Sequence, residues 1–247
     1  MNKRLNVTII GSRGRMGQAL IISAQAHEMH ITGTIDQGDD PEPAIKACDV
    51  IIDFSNHQVT PGIADLAAKY HKTMIIGTTG HSEEESRRVL AHTSEIPIVW
   101  AGNFSTGVNL LFYLTRIAAE VTDLDFHPEV LEMHHQYKVD APSGTAVGLV
   151  NALKEARSST EYKTKHGRQG ISGARPVEEI GVHSIRGGSI VGEHTVMLVS
   201  NNERIELTHK AQDRSIFADG AMKAAIWAHH QAPGLYDMLD VLGLKKQ

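Results

Sequence analysis

"LNVTIIGSRGRMGQALIISAQAH", residues 5–27, joins a short apolar, β-branched run to a glycine-rich turn and then to good helix formers with helical spacing. Gly11, Gly14 and Gly17 fall at that strand-to-helix junction. Glycine there permits a tight turn and lets backbone N–H groups approach a pyrophosphate, and the helix N-terminus adds partial positive charge. The spacing is G-x-x-G-x-x-G, with Arg13 where the commonest fingerprint has its middle glycine. "HITGTID" supplies a second strand ending at Asp36, near the ~20-residue spacing expected for an acid on an adenosine ribose. A plain strand-to-helix turn, with Asp36 capping the next segment, is the alternative reading.

The pattern continues outward. "DVIIDF", "TMIIGTTG" and "IPIVWAGNF" read as further strands, each nearly all apolar. Between them "HQVTPGIADLAAKY" and "SEEESRRVLAHT" read as helices, the first with Pro61 near its start and the second with Ser82 as N-cap. Apolar strands alternating with helices indicate a parallel sheet covered on both faces. In such a sheet the ligand crevice lies beyond the strands' carboxyl ends, so "GTTG" at 77–80 and "AGNF" at 101–104 should line the nicotinamide half.

The character changes after Phe104. "TGVNLLFYLTRIAAEV" is an amphipathic helix, "DFHPEVLEMHH" a strand, and "SGTAVGLVNALKEA" a helix with Ser143 as N-cap. Residues 158–179 are polar without apolar periodicity and read as a long loop, mobile or ordered by a partner subunit. "EIGVHSIRGG", "SIVGEHTVMLVS" and "ERIELTHKA" read as strands, with "RGG" and "NNE" as turns joining antiparallel neighbours. "SIFADGAMKAAIWAHH" and "GLYDMLDVLGL" read as closing helices.

The formal net charge of -5 argues against partners held by basic charge, so neither nucleic acid nor a membrane surface is expected. Cys48 is the only cysteine, which excludes an intrachain disulfide, fits a reducing cytoplasm and is read as a buried structural thiol. The apolar stretch behind the basic N-terminus ends at Gly11, too early for a signal peptide, and no run is long enough to span a bilayer.

"EMHHQYKVDAPSGTA", residues 132–146, packs a carboxylate, two histidines and a lysine ahead of a Pro-Ser-Gly-Thr helix start. Adjacent histidines lack the i, i+4 spacing of a helical zinc site, and Lys138 would repel a cation, so no metal is expected. A merely solvated polar loop is the bland alternative. The functional reading is a hydride-transfer site for an anionic substrate. Lys138 would be a point charge for a carboxylate, one histidine a proton donor, and the Gly144 and Thr145 amides a second anion site.

With "GSRGRMG", "GTTG", "AGNFSTGVNLL" and "RGGSIVGEHTVML…ERIELTHKA", this stretch resembles the 4-hydroxy-tetrahydrodipicolinate (dihydrodipicolinate) reductases of diaminopimelate and lysine biosynthesis, through nearly the whole chain. The resemblance implies an α/β protein. Its N-terminal Rossmann-type parallel-sheet domain would be residues 1–104, completed by 215–247. An α+β C-terminal domain with a mixed sheet, residues 105–214, would bind substrate and build a homotetramer. It implies NADH- or NADPH-dependent reduction of a cyclic dicarboxylate, with the domains closing around both ligands. His134 would be the proton donor or acceptor, Lys138 the proton donor and His135 a substrate contact, with Gly144 and Thr145 holding a carboxylate. Gly11, Ser12, Arg13, Gly14, Arg15, Met16, Asp36, Gly77, Thr78, Thr79, Ala101, Gly102, Asn103 and Phe104 would bind cofactor.

Gln37 stands where arginine is often found in enzymes using NADPH, and Asp36 would repel a 2′-phosphate, so the pair leans to NADH. Arg13 and Arg15 keep dual use open. Two rivals share the glycine turn: another Rossmann-type reductase of a small anionic imine or sugar acid, and a non-catalytic dinucleotide sensor. Only the 134–145 loop separates them.

Overall fold

The computed structural model describes residues 4–245, so Met1–Lys3, part of the N-terminal stretch weighed as a leader, lie outside it. The chain divides into two compact units. One contains residues up to Thr106 together with those from Arg214 onward, and the other runs from Gly107 to Asp213.

The elements of unit 1 are β1 (Asn6–Ile10), α1 (Arg15–Ala26), β2 (His30–Ile35), α2 (Glu42–Ala47), β3 (Val50–Asp53), α3 (Thr60–Lys69), β4 (Thr73–Ile76), α4 (Glu83–Leu90), β5 (Pro97–Trp100), α7 (Ser215–Ala228), β11 (Gly234–Tyr236) and α8 (Met238–Val241). Its six strands form an all-parallel sheet in the order β11-β5-β4-β3-β1-β2. Alternation along the strands builds two cores. Val7, Ile9, Val50, Ile52 and Ile75 face α1 and α7, while Ile10, Ile51, Met74 and Ile76 pack with residues of α2, α3 and α4. Pro61 lies in the first turn of α3, and Ser82 closes a capping box with Glu85 at the start of α4. Cys48 is buried, and burial raises its thiol pKa.

The strands of unit 2 are β6 (His127–His134), β7 (Lys163–His166), β8 (Glu179–Arg186), β9 (Gly192–Val199) and β10 (Arg204–Ala211). They form a mixed sheet in the order β10-β9-β6-β8-β7, packed on α5 (Thr106–Val121) and α6 (Gly144–Ala156). Pro128, Val130, Glu132 and His134 form the covered face of β6. No helix among the described residues is long and apolar enough to cross a membrane.

Three local expectations are corrected. "RGG" does not join neighbours, because β6 lies between β8 and β9, parallel to one and antiparallel to the other. "GLYDMLDVLGL" is not all helix: Gly234–Tyr236 extends the first sheet beside β5, and Asp237 then caps the short α8. The 158–179 segment contains the edge strand β7 and is tied down within the chain. Its exposed, charged residues hide the strand from any periodicity test, since edge pairing is a backbone matter.

Glu129 is the anchor of that segment. It accepts from Arg175 Nε at 2.9 Å, from Arg168 at 3.1 Å and from His183 at 2.9 Å. Burial would raise its pKa, but these donors outweigh burial and hold the carboxyl at about 2. A carboxylate depressed in the fold contributes stability that is fully present above about 4.5, its ordinary value, and is lost as pH falls toward 2. Glu129→Gln should therefore lower Tm at pH 7, with the gap to wild type closing between pH 4.5 and pH 2 in thermal melts. A gap that persists at low pH would exclude charge as the cause.

Candidate functional site

At the carboxyl ends of β1, β2 and β3 a crevice of about 580 Å³ is lined by Gly11, Gly14, Asp36, Phe54, Ser55 and Asn56, among others. The chain leaves β1 toward β2 on one side and returns to β3 on the other, which makes this the topological switch point. Gly11 sits at φ +82°, and a Cβ there would lie 2.5 Å from the Phe54 carbonyl oxygen. A Cβ on Gly17 would lie 2.2 Å from the Gly11 oxygen, so helix α1 seats on the turn only through glycine.

The backbone of the turn is largely committed. Gly11 and Ser12 N–H donate to the Ile35 carbonyl, Gly14 N–H to Gly11, and Arg13 N–H to Asp36 Oδ2 at 2.7 Å. No side chain caps α1, so the leading amides of the helix, from Arg15 and Met16 onward, are available to an anion. Asp36 also accepts from Gln37 N–H, and these two amides, that of Arg13 first, lower its carboxyl pKa. Asp39 accepts the Asp36 N–H at 2.9 Å and pairs with the Arg13 guanidinium at 3.4 Å.

Beyond β4 and β5 the expected nicotinamide residues separate by exposure. Thr79 and Gly102 face outward, their loops meeting where a Cβ on Gly102 would come 4.0 Å from the Thr79 methyl. Gly77 must lack a side chain because the Phe54 ring occupies that place. Phe104 is a core residue with its ring on Phe54, while Ala101 donates to Ile76 O and Asn103 accepts from Ser105 N–H. Thr78 turns inward to Asp53.

Asp53, at the end of β3, was not singled out in the sequence. It is wholly buried and accepts from the Ser55 amide, the Thr60 hydroxyl at 2.6 Å and the Thr78 hydroxyl at 3.2 Å. Burial raises its pKa against those bonds. It holds the β3 and β4 loops together beside the crevice.

In unit 2, His134 ends β6 with Nδ1 2.6 Å from Glu132 Oε2. Glu132 has no solvent exposure and also takes both Arg186 amines at 2.8 Å and the Ser143 N–H at 3.1 Å. Burial alone would raise the Glu132 pKa. Arg186, His134 and the other donors reverse that, to about 2. Burial lowers the His134 pKa, only partly countered by Glu132, so its ring is neutral at pH 7. The Arg186–Gly188 turn clasps the loop: Gly187 N–H donates to His134 O and Gln136 N–H to Gly188 O.

Lys138 Nζ is held by Asp140 at 2.7 Å, and the His135 ring lies 6.3 Å from that of Tyr137. Ser143 caps α6, its Oγ accepting from Ala146 N–H, so the amides of Gly144 and Thr145 head the helix. A Cβ on Gly144 would meet nothing within 4 Å. Ser143 Oγ also pairs with His194 Nε2 at 3.0 Å, and burial brings the His194 pKa down to about 4. Arg186 and His194 lie in the stretch "RGGSIVGEHTVML" that carries the resemblance, but no role was read for them, since strand pairing is what brings them to the site. No group of three or more His, Cys, Asp or Glu side chains among the described residues is arranged to hold a metal ion.

A dinucleotide crevice on a parallel sheet, with a separate unit carrying a histidine-lysine loop and a helix start, defines a two-unit pyridine-nucleotide-dependent oxidoreductase. The comparisons narrow this. Residues 5–104 match the family model described as dihydrodipicolinate reductase, N-terminus, and residues 107–242 match its C-terminus counterpart. The chain belongs to the dihydrodipicolinate reductase family. It is 47% identical over 244 residues to the 4-hydroxy-tetrahydrodipicolinate reductase of Akkermansia muciniphila, covering 98% of this chain and 99% of the relative. The reductase of Roseobacter denitrificans is 43% identical, with 99% of each covered. In fold the chain is similar to the dipicolinate-bound dihydrodipicolinate reductase of Paenisporosarcina sp. TG-14, with a TM-score of 0.79 at 23% identity, covering 96% of this chain and 99% of that one.

Asp53→Asn keeps the shape but replaces one accepting oxygen, the one facing the Ser55 amide or the one facing the Thr60 hydroxyl, with a donor. It should weaken nucleotide binding by about tenfold, the equivalent of one hydrogen bond to a charged group. Titration calorimetry with NADH is the check, and an unchanged Kd would make Asp53 a residue of the fold alone.

Proposed function

We propose that this chain performs the reaction of its family, the NAD(P)H-dependent reduction of 4-hydroxy-tetrahydrodipicolinate or dihydrodipicolinate to tetrahydrodipicolinate in diaminopimelate and lysine biosynthesis. The observation that carries the residue assignments is the His134–Glu132 bond beside a lysine and a helix start. The crevice fits a nucleotide: its turn has no room for a Cβ at Gly11 or Gly17, the helix behind it has no side-chain cap, and an acid stands at its lip. Gly11 to Met16, Asp36 and the 77–79 and 101–104 loops are assigned to hold it. Bound there, the nucleotide supplies the hydride.

The chain's own residues do the rest. A neutral His134 with Nδ1–H on Glu132 carries its lone pair on Nε2, where it takes up and returns a proton. Lys138, an ammonium beside Asp140, gives the substrate its proton and faces one carboxylate. The amides heading α6 at Gly144 and Thr145 take the other, and His135 completes the substrate contacts. A small dicarboxylate is the matching partner, in keeping with the dipicolinate bound to the Paenisporosarcina reductase.

Cofactor choice is assigned to the Asp36 lip. Asp36 faces the adenosine ribose, Gln37 brings no charge, and Asp39 draws the Arg13 guanidinium aside, which together favour NADH. The partly exposed Leu131, Met133 and Met197 on the face of the second sheet away from its helices support a homotetramer built through unit 2. The cytoplasm is the location that suits a lone buried thiol.

The deciding assay follows reduced-nicotinamide absorbance while a condensing enzyme makes the substrate from pyruvate and aspartate semialdehyde. Oxidation of NADH that depends on the condensation product is expected, faster than with NADPH. His134→Gln should reduce kcat by ~10²–10⁴, and Lys138→Ala should lower kcat as well as raise KM. Asp39→Asn, by releasing Arg13, should raise the NADPH-to-NADH ratio of kcat/KM several-fold. No oxidation with nucleotide binding intact would reject the reaction.

A further inference from the structure

We infer that Glu132, clamped by Arg186, is the positioning residue of the site, selecting the free nitrogen of His134 and fixing where helix α6 begins. This rests on the proposed role of His134. The two oxygens of Glu132 meet donors from His134, Arg186 and the Ser143 amide, with the Ser184 hydroxyl a further hydrogen-bond partner. Oε2 takes His134 Nδ1 and Arg186 Nη1, and Oε1 takes Arg186 Nη2 and the Ser143 amide.

Each contact has a distinct consequence. Because a carboxylate only accepts, His134 must place its proton on Nδ1, which leaves Nε2 as the exchanging nitrogen. That nitrogen faces the space beside Gly192, where a Cβ would come within 3.1 Å. Because Oε1 holds the Ser143 amide, the same carboxylate sets the first residue of the helix whose leading amides form the second anion site. Ser143 Oγ, already accepting from Ala146, also pairs with His194 Nε2 at 3.0 Å, so the side chain is fixed as well as the backbone. Arg186 is itself braced, donating to the carbonyls of Ile185 and Asp140. A half-satisfied buried carboxylate would be free to rotate or to draw in water, and this one is filled.

The charged and titratable groups around His134 are Glu132 on its own strand, Arg186 on β8, Lys138 in the following loop and His194 on β9. Glu132 favours the protonated ring, whereas Arg186 and Lys138 oppose it. Glu132→Gln and Arg186→Met should therefore move the acidic limb of the kcat profile in opposite directions, to lower pH for the first and to higher pH for the second. A general loss of packing has no means of producing that pair of shifts.

The test combines this profile with long-range ¹H–¹⁵N NMR of histidine-labelled resting protein, His134 being assigned by its absence from His134→Gln. Wild type should show the Nδ1–H tautomer. Glu132→Gln should mix in the Nε2–H form, lower kcat by ~10²-fold and raise the substrate KM, with NADH affinity unchanged. Should Glu132→Gln fail to fold, Arg186→Met still reads the limb, moved to higher pH, with the Nδ1–H tautomer kept because the Glu132 carboxylate remains. Variants that keep the Nδ1–H tautomer and an unmoved limb would overturn the inference, leaving Glu132 a stabiliser of the sheet. The tautomer is read without substrate, so a wrong substrate assignment would show separately, as wild-type protein with the expected tautomer and no turnover.

Discussion

A carboxylate held entirely out of water is tolerated only where donors meet it on every side, and Glu132 imposes that demand on unit 2. The sheet meets it through register. Parallel pairing sets Arg186 across from His134, and antiparallel pairing sets His194 across from Glu132, on the face that the helices cover. Sliding either neighbour by one residue would turn its partner to the opposite face and strand the charge. The mixed sheet and the site are thus one arrangement seen at two scales.

The two helix starts assigned to anions differ in how their leading amides are held. Helix α1 has no side-chain cap and sits on a turn of glycines whose amides are tied back to β2 and Asp36, so only the helix's own leading amides face the crevice. Helix α6 has a serine cap that takes the third amide and is pinned by Glu132 and His194. The first suits an extended pyrophosphate that lies over a loop. The second, if it takes the substrate carboxylate as proposed, is the more tightly fixed of the two.

Much of this was legible from local pattern. The apolar strands of unit 1, the caps at Ser82 and Ser143, and the glycine junction at 11–17 each have a short-range cause and appear where the sequence put them. What escaped is what depends on distant pairing. "RGG" has the composition of a hairpin turn, but insertion of β6 between its flanking strands makes it a clasp on the 134–138 loop. Lys163–His166 and Gly234–Tyr236 are strands only because a neighbour offers its edge. Asp53, Arg186 and His194 were given no role from the sequence and acquire importance from what folding sets beside them. The family resemblance supplied the roles of the 134–145 loop, and the geometry supplied their partners.

Unit 1 is assembled from two stretches of chain separated by the whole of unit 2. Ala218, Ala221, Met222 and Ala225 of α7 belong to the core on one face of its sheet, and β11 supplies its last strand. During synthesis, then, the first five strands leave the ribosome with one apolar face covered by α1 alone, and wait on the order of ten seconds, at ~5–20 residues per second, for the helix that completes it. Unit 2, continuous in sequence, has all its parts before that helix appears. The order of completion is therefore the reverse of the order of translation, and the interval in between is when this chain has most need of a chaperone.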